Sequence, residues 1–315
     1  MPDPETLARF TESWVQSEGL PILRKSYAGL WDDIKTFGGP PEAWFAGFRA
    51  KGKQVVTAGE VAFERSLRAA LAVAFPGQVA VWGEELGDEA DVQDKTIAAI
   101  DPVDGTASML ASLVWPGAYG FGISVGWMRA GAFWGGQVFV LSGARGQLDI
   151  TQTWRGFAGG PTTCNGQAVD PPGPDAGPLY CTAPEVMFTE GADQRAFWAL
   201  ERAASEVVTD QNCAGILRAA QEGATAAEAD LTIHDVAALV PLLRGASMVV
   251  TRFDGAPLEP TGPGDMYTLH TAHAALHAEQ QAQMRTARAD GDLYIPGSSS
   301  LFRRAAAPHA RKFNP

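Results

Sequence analysis

A layered fold mixing α-helices and β-strands is what the order of segments predicts for this chain of 315 residues. Three observations carry the expectation. The N-terminal stretch repeats apolar residues at helical spacing. A central run from Val79 to Leu141 breaks into short apolar segments divided by turn residues. The second half alternates short apolar runs with longer amphipathic ones. Helices packed between sheets follow from that order.

The elements follow in sequence. From Asp3 to roughly Trp31, Leu7, Phe10, Trp14 and Val15 recur at three- and four-residue steps, so this stretch reads as helical. Gly38 to Pro41 breaks it. A second helix spans Glu60 to Phe75; Thr57 followed three residues later by Glu60 fits a capping box at its start, and Pro76-Gly77 ends it. Val79–Trp82 and Thr96–Ile100 read as strands. Gly120–Trp127 and Ala132–Leu141 form a meander around Met128 to Gly131. Gly159 to Pro161 and Pro171 to Pro178 are loops. Strands are then expected at Leu179–Thr182, Val207-Val208, Ala229–Ile233 and Ser247–Thr251. Helices are expected at Asp193–Ser205, Cys213–Gly223 and Asp235–Arg244. No internal repeat is visible.

Composition excludes several function classes. The chain is 46% apolar and 19% charged, as folded globular chains are. Its formal net charge of −12 argues against nucleic acid and anionic membrane surfaces, both of which need Lys and Arg. Cys164, Cys181 and Cys213 form no CxxC pair, which points to a reducing compartment. The acidic start, MPDPETLARF, lacks the basic and apolar regions of a signal peptide, and no apolar run approaches the roughly 20 residues of a membrane span. A cytoplasmic protein is expected.

Three regions are expected: an N-terminal α+β lobe over 1–155, a C-terminal α/β lobe over 156–279, and a basic extension over 280–315. Residues 285–315 carry six basic side chains against Asp290 and Asp292, leaving +4 there and −16 in residues 1–284.

The residues richest in chemistry are Asp101-Pro-Val-Asp-Gly-Thr106. An apolar strand delivers them to its C-terminal end, where α/β proteins commonly build sites. Pro102 is expected to turn the chain and aim Asp101, Asp104 and the Val103 carbonyl into one concavity. These are hard oxygen donors, suited to Mg²⁺. Gly105 lets a ligand approach the backbone, and Thr106 opens a helix whose free N–H groups can hold phosphate. Asp-Pro and Asp-Gly are also ordinary turn formers. Two further acidic strand ends, Gly83-Glu84-Glu85 and His234-Asp235, strengthen the metal interpretation toward a two-metal site, although Asp235 alone also fits a helix cap.

These residues resemble the inositol monophosphatase superfamily, the Mg²⁺-dependent, lithium-sensitive phosphatases. Its two signatures stand here as Asp101-Pro-Val-Asp-Gly-Thr106 and Asp235-Val-Ala-Ala238. The Gly83-Glu84-Glu85 step and Thr57-Ala-Gly-Glu60-Val-Ala-Phe-Glu64 match in order and spacing, over residues 40 to 260. The resemblance implies an αβαβα sandwich of the inositol monophosphatase and sugar phosphatase type. It implies a phosphomonoesterase that hydrolyses a small-molecule phosphate ester through metal-activated water, with two or three Mg²⁺ ions. Glu84, Asp101 and the Val103 carbonyl would hold one ion, and Asp101, Asp104 and Asp235 a second. Thr106, supported by Glu60, would position the attacking water. Backbone N–H groups around Gly105 and Thr106 would hold the phosphate, and Glu228 would contact hydroxyls or amines of the substrate. A homodimer is also implied. Leu179-Tyr-Cys-Thr-Ala-Pro-Glu185 and Ala237 to Pro241 look closest to the histidinol-phosphate phosphatase branch.

The chain departs from the family pattern at Glu60, where Asp is usual, at His234, where an aromatic is usual, and at Ala246-Ser247-Met248, where Gly-Gly is common. Other patterns compete. Gly122-Ile-Ser124-Val-Gly126 matches the GxSxG elbow of serine hydrolases, but the apolar run continues through it as a strand would. His270, His273 and His277 share one face of an expected helix, either as a metal patch or as plain amphipathic residues. Cys213 and the tryptophans Trp115, Trp127 and Trp134 read as core or interface, and Gly120-Phe-Gly122 is too short for a nucleotide loop. A catalytically quiet member acting as a scaffold, with the basic tail as a partner arm, is the alternative from another class.

Overall fold

The computed structural model describes residues 2–49, 57–117, 119–170, 173, 177–182, 187–188, 191–209 and 212–289. The basic extension beyond 289, most of the loop Pro171 to Pro178 and the segment 183–186 lie outside the described residues.

The chain opens with α1 (Pro4–Trp14), capped by the Asp3 carboxylate accepting from the Thr6 N–H at 2.9 Å. A single π-turn (Val15–Gly19) leads into α2 (Leu20–Thr36), so the expected first helix carries a bulge and runs further than Trp31. Gly19 sits there because a Cβ would lie 2.5 Å from the Phe63 ring. After α3 (Pro41–Arg49), which its Gly/Pro surroundings had hidden, α4 (Ala58–Ala74) starts at the expected Thr57/Glu60 capping box.

The strands β1 (Val79–Gly83), β2 (Gly87–Asp88), β3 (Thr96–Asp104), β4 (Phe121–Arg129), β5 (Ala132–Ala144), β6 (Gln147–Phe157), β7 (Thr163–Cys164) and β8 (Gln167–Ala168) form one sheet in the order 2-1-3-4-5-6-7-8. Only β1 and β3 pair in parallel. Between β3 and β4 lies α5 (Thr106–Val114). A second sheet holds β9 (Leu179–Tyr180), β10 (Val207–Val208), β11 (Thr225–Leu231), β12 (Met248–Thr251) and β13 (Tyr267–His273) in the order 10-9-11-13-12. The helices α6 (Gly191–Ala203), α7 (Asn212–Glu222), α8 (Ile233–Gly245) and α9 (Ala274–Ala289) complete the described residues.

Five layers result. One core joins α1, α2, α4 and α5 to a face of the first sheet through Phe63, Leu67, Ile100 and Phe139. A second core lies between the sheets, where α7 and α8 pack. A third lies under α6 and α9 on the far face of the second sheet. This is the αβαβα sandwich. The middle layer is tight because Gly126 and Gly136 face α8; a Cβ on either would come within 2.4 Å of the Ala237 or Ala238 backbone.

Several expectations change. Pro102 does not turn the chain. β3 continues to Asp104, and the register against β4 shifts between Asp101 and Asp104, a bulge that accommodates the proline after β1 pairing has ended at Ile100. The Gly-x-Ser-x-Gly segment is an unbroken strand, with Ser124 buried opposite Asp101, so no nucleophile elbow exists. The three histidines do not share a helix face. His270 and His273 belong to β13, and only His277 lies on α9. β11 lies four residues earlier than expected at its start. The proposed lobe division at 155 falls inside β6, and the first sheet continues to Ala168. The compositional boundary at 280 falls inside α9, whose Gln280, Gln281 and Met284 are buried. No helix among the described residues is long and apolar enough to cross a membrane.

Candidate active site

The C-terminal ends of β1 and β3 lie side by side, held in part by the Glu84 N–H donating to the Ile100 carbonyl at 3.2 Å. They open onto a cleft of about 650 Å³ whose lining includes Glu84, Glu85, Asp101, Val103, Asp104, Gly105, Thr106, Glu228 and Asp235. Of the expected site residues, only Glu60 is absent from that lining; it stands directly behind Thr106. Residues distant in sequence complete the cleft, among them Thr182, Asn212, Cys213 and Asp230.

Carboxylate oxygens of Asp101, Asp104 and Asp235 all lie within 4.8 Å of one another. At an effective dielectric near 20, each ionised pair at such a distance repels by about 3 kcal/mol. The cluster therefore demands protons or a cation. Burial, followed by Glu84 and the other two carboxylates, pushes Asp101 well above the usual carboxylate range; a hydrogen bond to Glu84 adds to that rise and opposes the rise at Glu84. Asp104 is lifted to about 7 by loss of water and then by Asp235, with the Cys213 contact opposing. Glu84 is also lifted to about 7 by crowding away from water and by Asp235. The donor set is all oxygen and hard, so it fits Mg²⁺.

Each ligand candidate has a fixed orientation. Asp101 Oδ1 accepts from the Val103 N–H at 2.8 Å across the bulge. Asp104 Oδ2 accepts from the Cys213 N–H at the start of α7, at 3.0 Å. Asp235 Oδ2 accepts from the Thr232 N–H at 2.6 Å and from its hydroxyl at 2.9 Å, so the helix-cap role and the site role coexist in one side chain. The Glu84 turn is pinned from behind by buried Glu64, which accepts from the N–H groups of Glu85 (2.8 Å) and Leu86 (3.2 Å) and pairs with Arg68 at 2.7 Å. A Cβ at Gly83 would lie 2.0 Å from Glu64 Oε1, so any side chain there would displace the carboxylate that pins the turn.

Beside the carboxylates, Gly105 has φ +98 and precedes α5 without a side-chain cap, leaving the first N–H groups of the helix facing the cleft. A Cβ at Gly105 would lie 2.4 Å from Asn212 Nδ2. The Thr106 hydroxyl donates to Glu60 Oε1 at 2.5 Å, while Glu60 Oε2 accepts from the Thr57 N–H at 2.6 Å. The longer Glu60 thus keeps contact with Thr106. Also lining the cleft, Glu228 is 2% exposed; Oε1 accepts from Thr182 at 2.9 Å, and Oε2 has no hydrogen-bond partner among the described residues.

No local signal marks Thr182, Asn212 or Glu64's hold on the turn, since each acts across a tertiary contact. Cys213 is buried as expected, but its N–H serves Asp104. Trp127 is core, whereas Trp115 and Trp134 are partly buried, the latter under Arg129 at 5.4 Å. His270 is enclosed by Gln280 and Gln281 and stacks on His277, 4.5 Å between ring centres.

A sandwich of this topology with a carboxylate-lined cleft at its strand ends has clear relatives. The fold is shared with an inositol monophosphatase from Zymomonas mobilis (18% identity, 90% of this chain and 100% of that one, TM-score 0.61). It is shared with one from Anabaena (21%, 73% and 86%, TM-score 0.58) and with inositol monophosphatase II of Staphylococcus aureus (16%, 89% and 95%, TM-score 0.62). No curated protein sequence matches the chain. The model of the inositol monophosphatase family matches residues 3–289, and the chain belongs to that family. Its members are phosphatases and in general Mg²⁺-dependent.

Proposed function

We propose that this chain is a Mg²⁺-dependent phosphomonoesterase acting on a small phosphorylated metabolite of the inositol monophosphate or histidinol phosphate type. The observation that carries the proposal is the Asp101, Asp104 and Asp235 cluster, with oxygens within 4.8 Å, beside the Thr106–Glu60 pair. Glu84, Asp101 and the Val103 carbonyl would hold one Mg²⁺, and Asp101, Asp104 and Asp235 a second. Bound there, Mg²⁺ supplies neutralising charge for a phosphoryl group and lowers the pKa of water.

The chain's own residues do the positioning. The N–H groups after Gly105 bind phosphate oxygens. Thr106 gives its only hydroxyl hydrogen to Glu60, so its oxygen accepts from a water and turns that water's lone pair toward phosphorus. Glu228 Oε2, buried without a partner among the described residues, accepts a donor from the alcohol portion. With Asp104 and Asp230 also in the lining, the surroundings of Glu228 favour hydroxyl or ammonium groups over a second phosphate. A staphylococcal relative of the same fold is described bound to inositol monophosphate and to 2'AMP, which supports a small monoester. The proposal extends to a homodimer in the cytoplasm, supported by the family resemblance and three free cysteines.

Phosphate release from histidinol phosphate, inositol phosphates, sugar phosphates and nucleoside bisphosphates, each with Mg²⁺, tests this. A monoester with a donor-rich alcohol should lead the panel. A bisphosphate leading it, or no turnover of any, would overturn the substrate class.

A further inference from the structure

His234 is where the chain departs from its family's aromatic residue, and its imidazole is buried between two polar partners. Nε2 lies 3.1 Å from Asp88 Oδ1, and Nδ1 lies 3.2 Å from Thr232 Oγ1. The side chains of His234 and Asp88 are 8% and 27% exposed. A contact so shielded is worth more than a surface ion pair.

Asp88 and Thr232 each lead to a candidate metal ligand. Asp88 ends β2 and pairs with Trp82 of β1, so it belongs to the hairpin whose tip is Glu84. Thr232 donates through both its N–H and its hydroxyl to Asp235 Oδ2, which leaves Asp235 Oδ1 to face the cleft. An unbroken run of polar contacts therefore joins the Glu84 hairpin to the Asp235 helix. The hairpin is already pinned from its other side by Glu64. Without the Asp88–His234 contact it would have no polar tie to α8 among the hydrogen bonds of the described residues.

We propose that the Asp88–His234 pair is a strut that fixes the spacing between Glu84 and Asp235 and thereby sets the Mg²⁺ affinity of the site. The inference rests on the Mg²⁺ site proposed above. It makes His234 a positioning residue that touches neither substrate nor metal. Residues that orient metal ligands from behind change metal affinity about 10- to 100-fold when removed.

The test uses the full chain as wild type, Asp88→Ala, His234→Ala, the double variant and His234→Gln, whose amide reaches toward Asp88. Calorimetry measures Mg²⁺ binding, and phosphate release at saturating Mg²⁺ is followed in parallel. Each single variant should bind Mg²⁺ about 10-fold more weakly, while its rate at saturating Mg²⁺ stays within about 3-fold of wild type. The double variant should be no weaker than either single one, and His234→Gln should recover part of the affinity. Should a variant lose thermal stability in EDTA yet bind Mg²⁺ like wild type, His234 is a packing residue and the strut is overturned. Losses that multiply in the double variant overturn the pairing. Wild type that binds no Mg²⁺ overturns the site itself and the strut with it.

Discussion

Thr106 and Glu60 stand 2.5 Å apart, hydroxyl to carboxylate, although they lie 46 positions apart in the chain. The same Glu60 closes the capping box of α4 through its other oxygen. Helix start and water-positioning group are thus built from one side chain.

Replacing Glu60 by Gln separates the two duties. The amide oxygen can still accept from Thr106, but its NH₂ cannot accept from the Thr57 N–H. Stability should fall by about 1 kcal/mol in a denaturant melt, the usual worth of a cap. Glu60→Ala removes both contacts and should lower kcat about 100-fold with KM little changed, as loss of a positioning group does. Initial-rate kinetics read the split.

Glu228→Ala should act on KM instead. Its oxygen without a partner among the described residues serves only the alcohol portion, so KM for a donor-rich phosphate ester should rise about 10-fold, the value of a buried hydrogen bond. Hydrolysis of a plain aryl phosphate, which offers no donor there, should be unchanged. Parallel kinetics on the two substrates give the comparison.

Gly105→Ala places a β-carbon at φ +98 and against Asn212. A loss of about 1–3 kcal/mol is expected, with weaker binding of inorganic phosphate. Thermal melts with and without phosphate measure both effects.

The pH dependence of the metal-free protein follows from the carboxylates. Asp104 and Glu84 are raised to about 7 from ordinary values of 3.8 and 4.5. Raised acids hold protons that the unfolded chain releases. Their contribution to stability is full below about pH 4 and is lost as pH rises through about 7. In EDTA, Tm should therefore fall between pH 5 and pH 8, and added Mg²⁺ should raise Tm more at pH 8 than at pH 5. Scanning calorimetry across that range checks the sign. An EDTA Tm that climbs with pH would contradict it.

Much of the site was legible because its parts are local. Apolar runs leading into Glu84 and Asp101, and the cap at Thr57, each leave a signature within a few residues, whereas Asp235 reads as a cap by itself and the cap is Thr232, with Asp235 three residues in. What was missed came from contacts that sequence spacing cannot encode. β6 alternates Thr, Gln and Arg with few apolar side chains, so its period is faint. The His270–His277 spacing looked helical because a strand–helix junction falls between His273 and Ala274. Pro102 looked like a stop because a bulge at an unpaired strand edge cannot be seen without knowing where β1 ends. Asn212 reaches the site only through the fold.

The central claim is tested most directly by phosphate release from the best substrate of the panel, measured for wild type and Asp101→Asn in Mg²⁺ and in EDTA. Hydrolysis by wild type should require Mg²⁺, and Asp101→Asn should lose at least about 1,000-fold, or about 4 kcal/mol of barrier. Turnover that survives EDTA, or that Asp101→Asn leaves intact, would contradict a carboxylate-held Mg²⁺ centre.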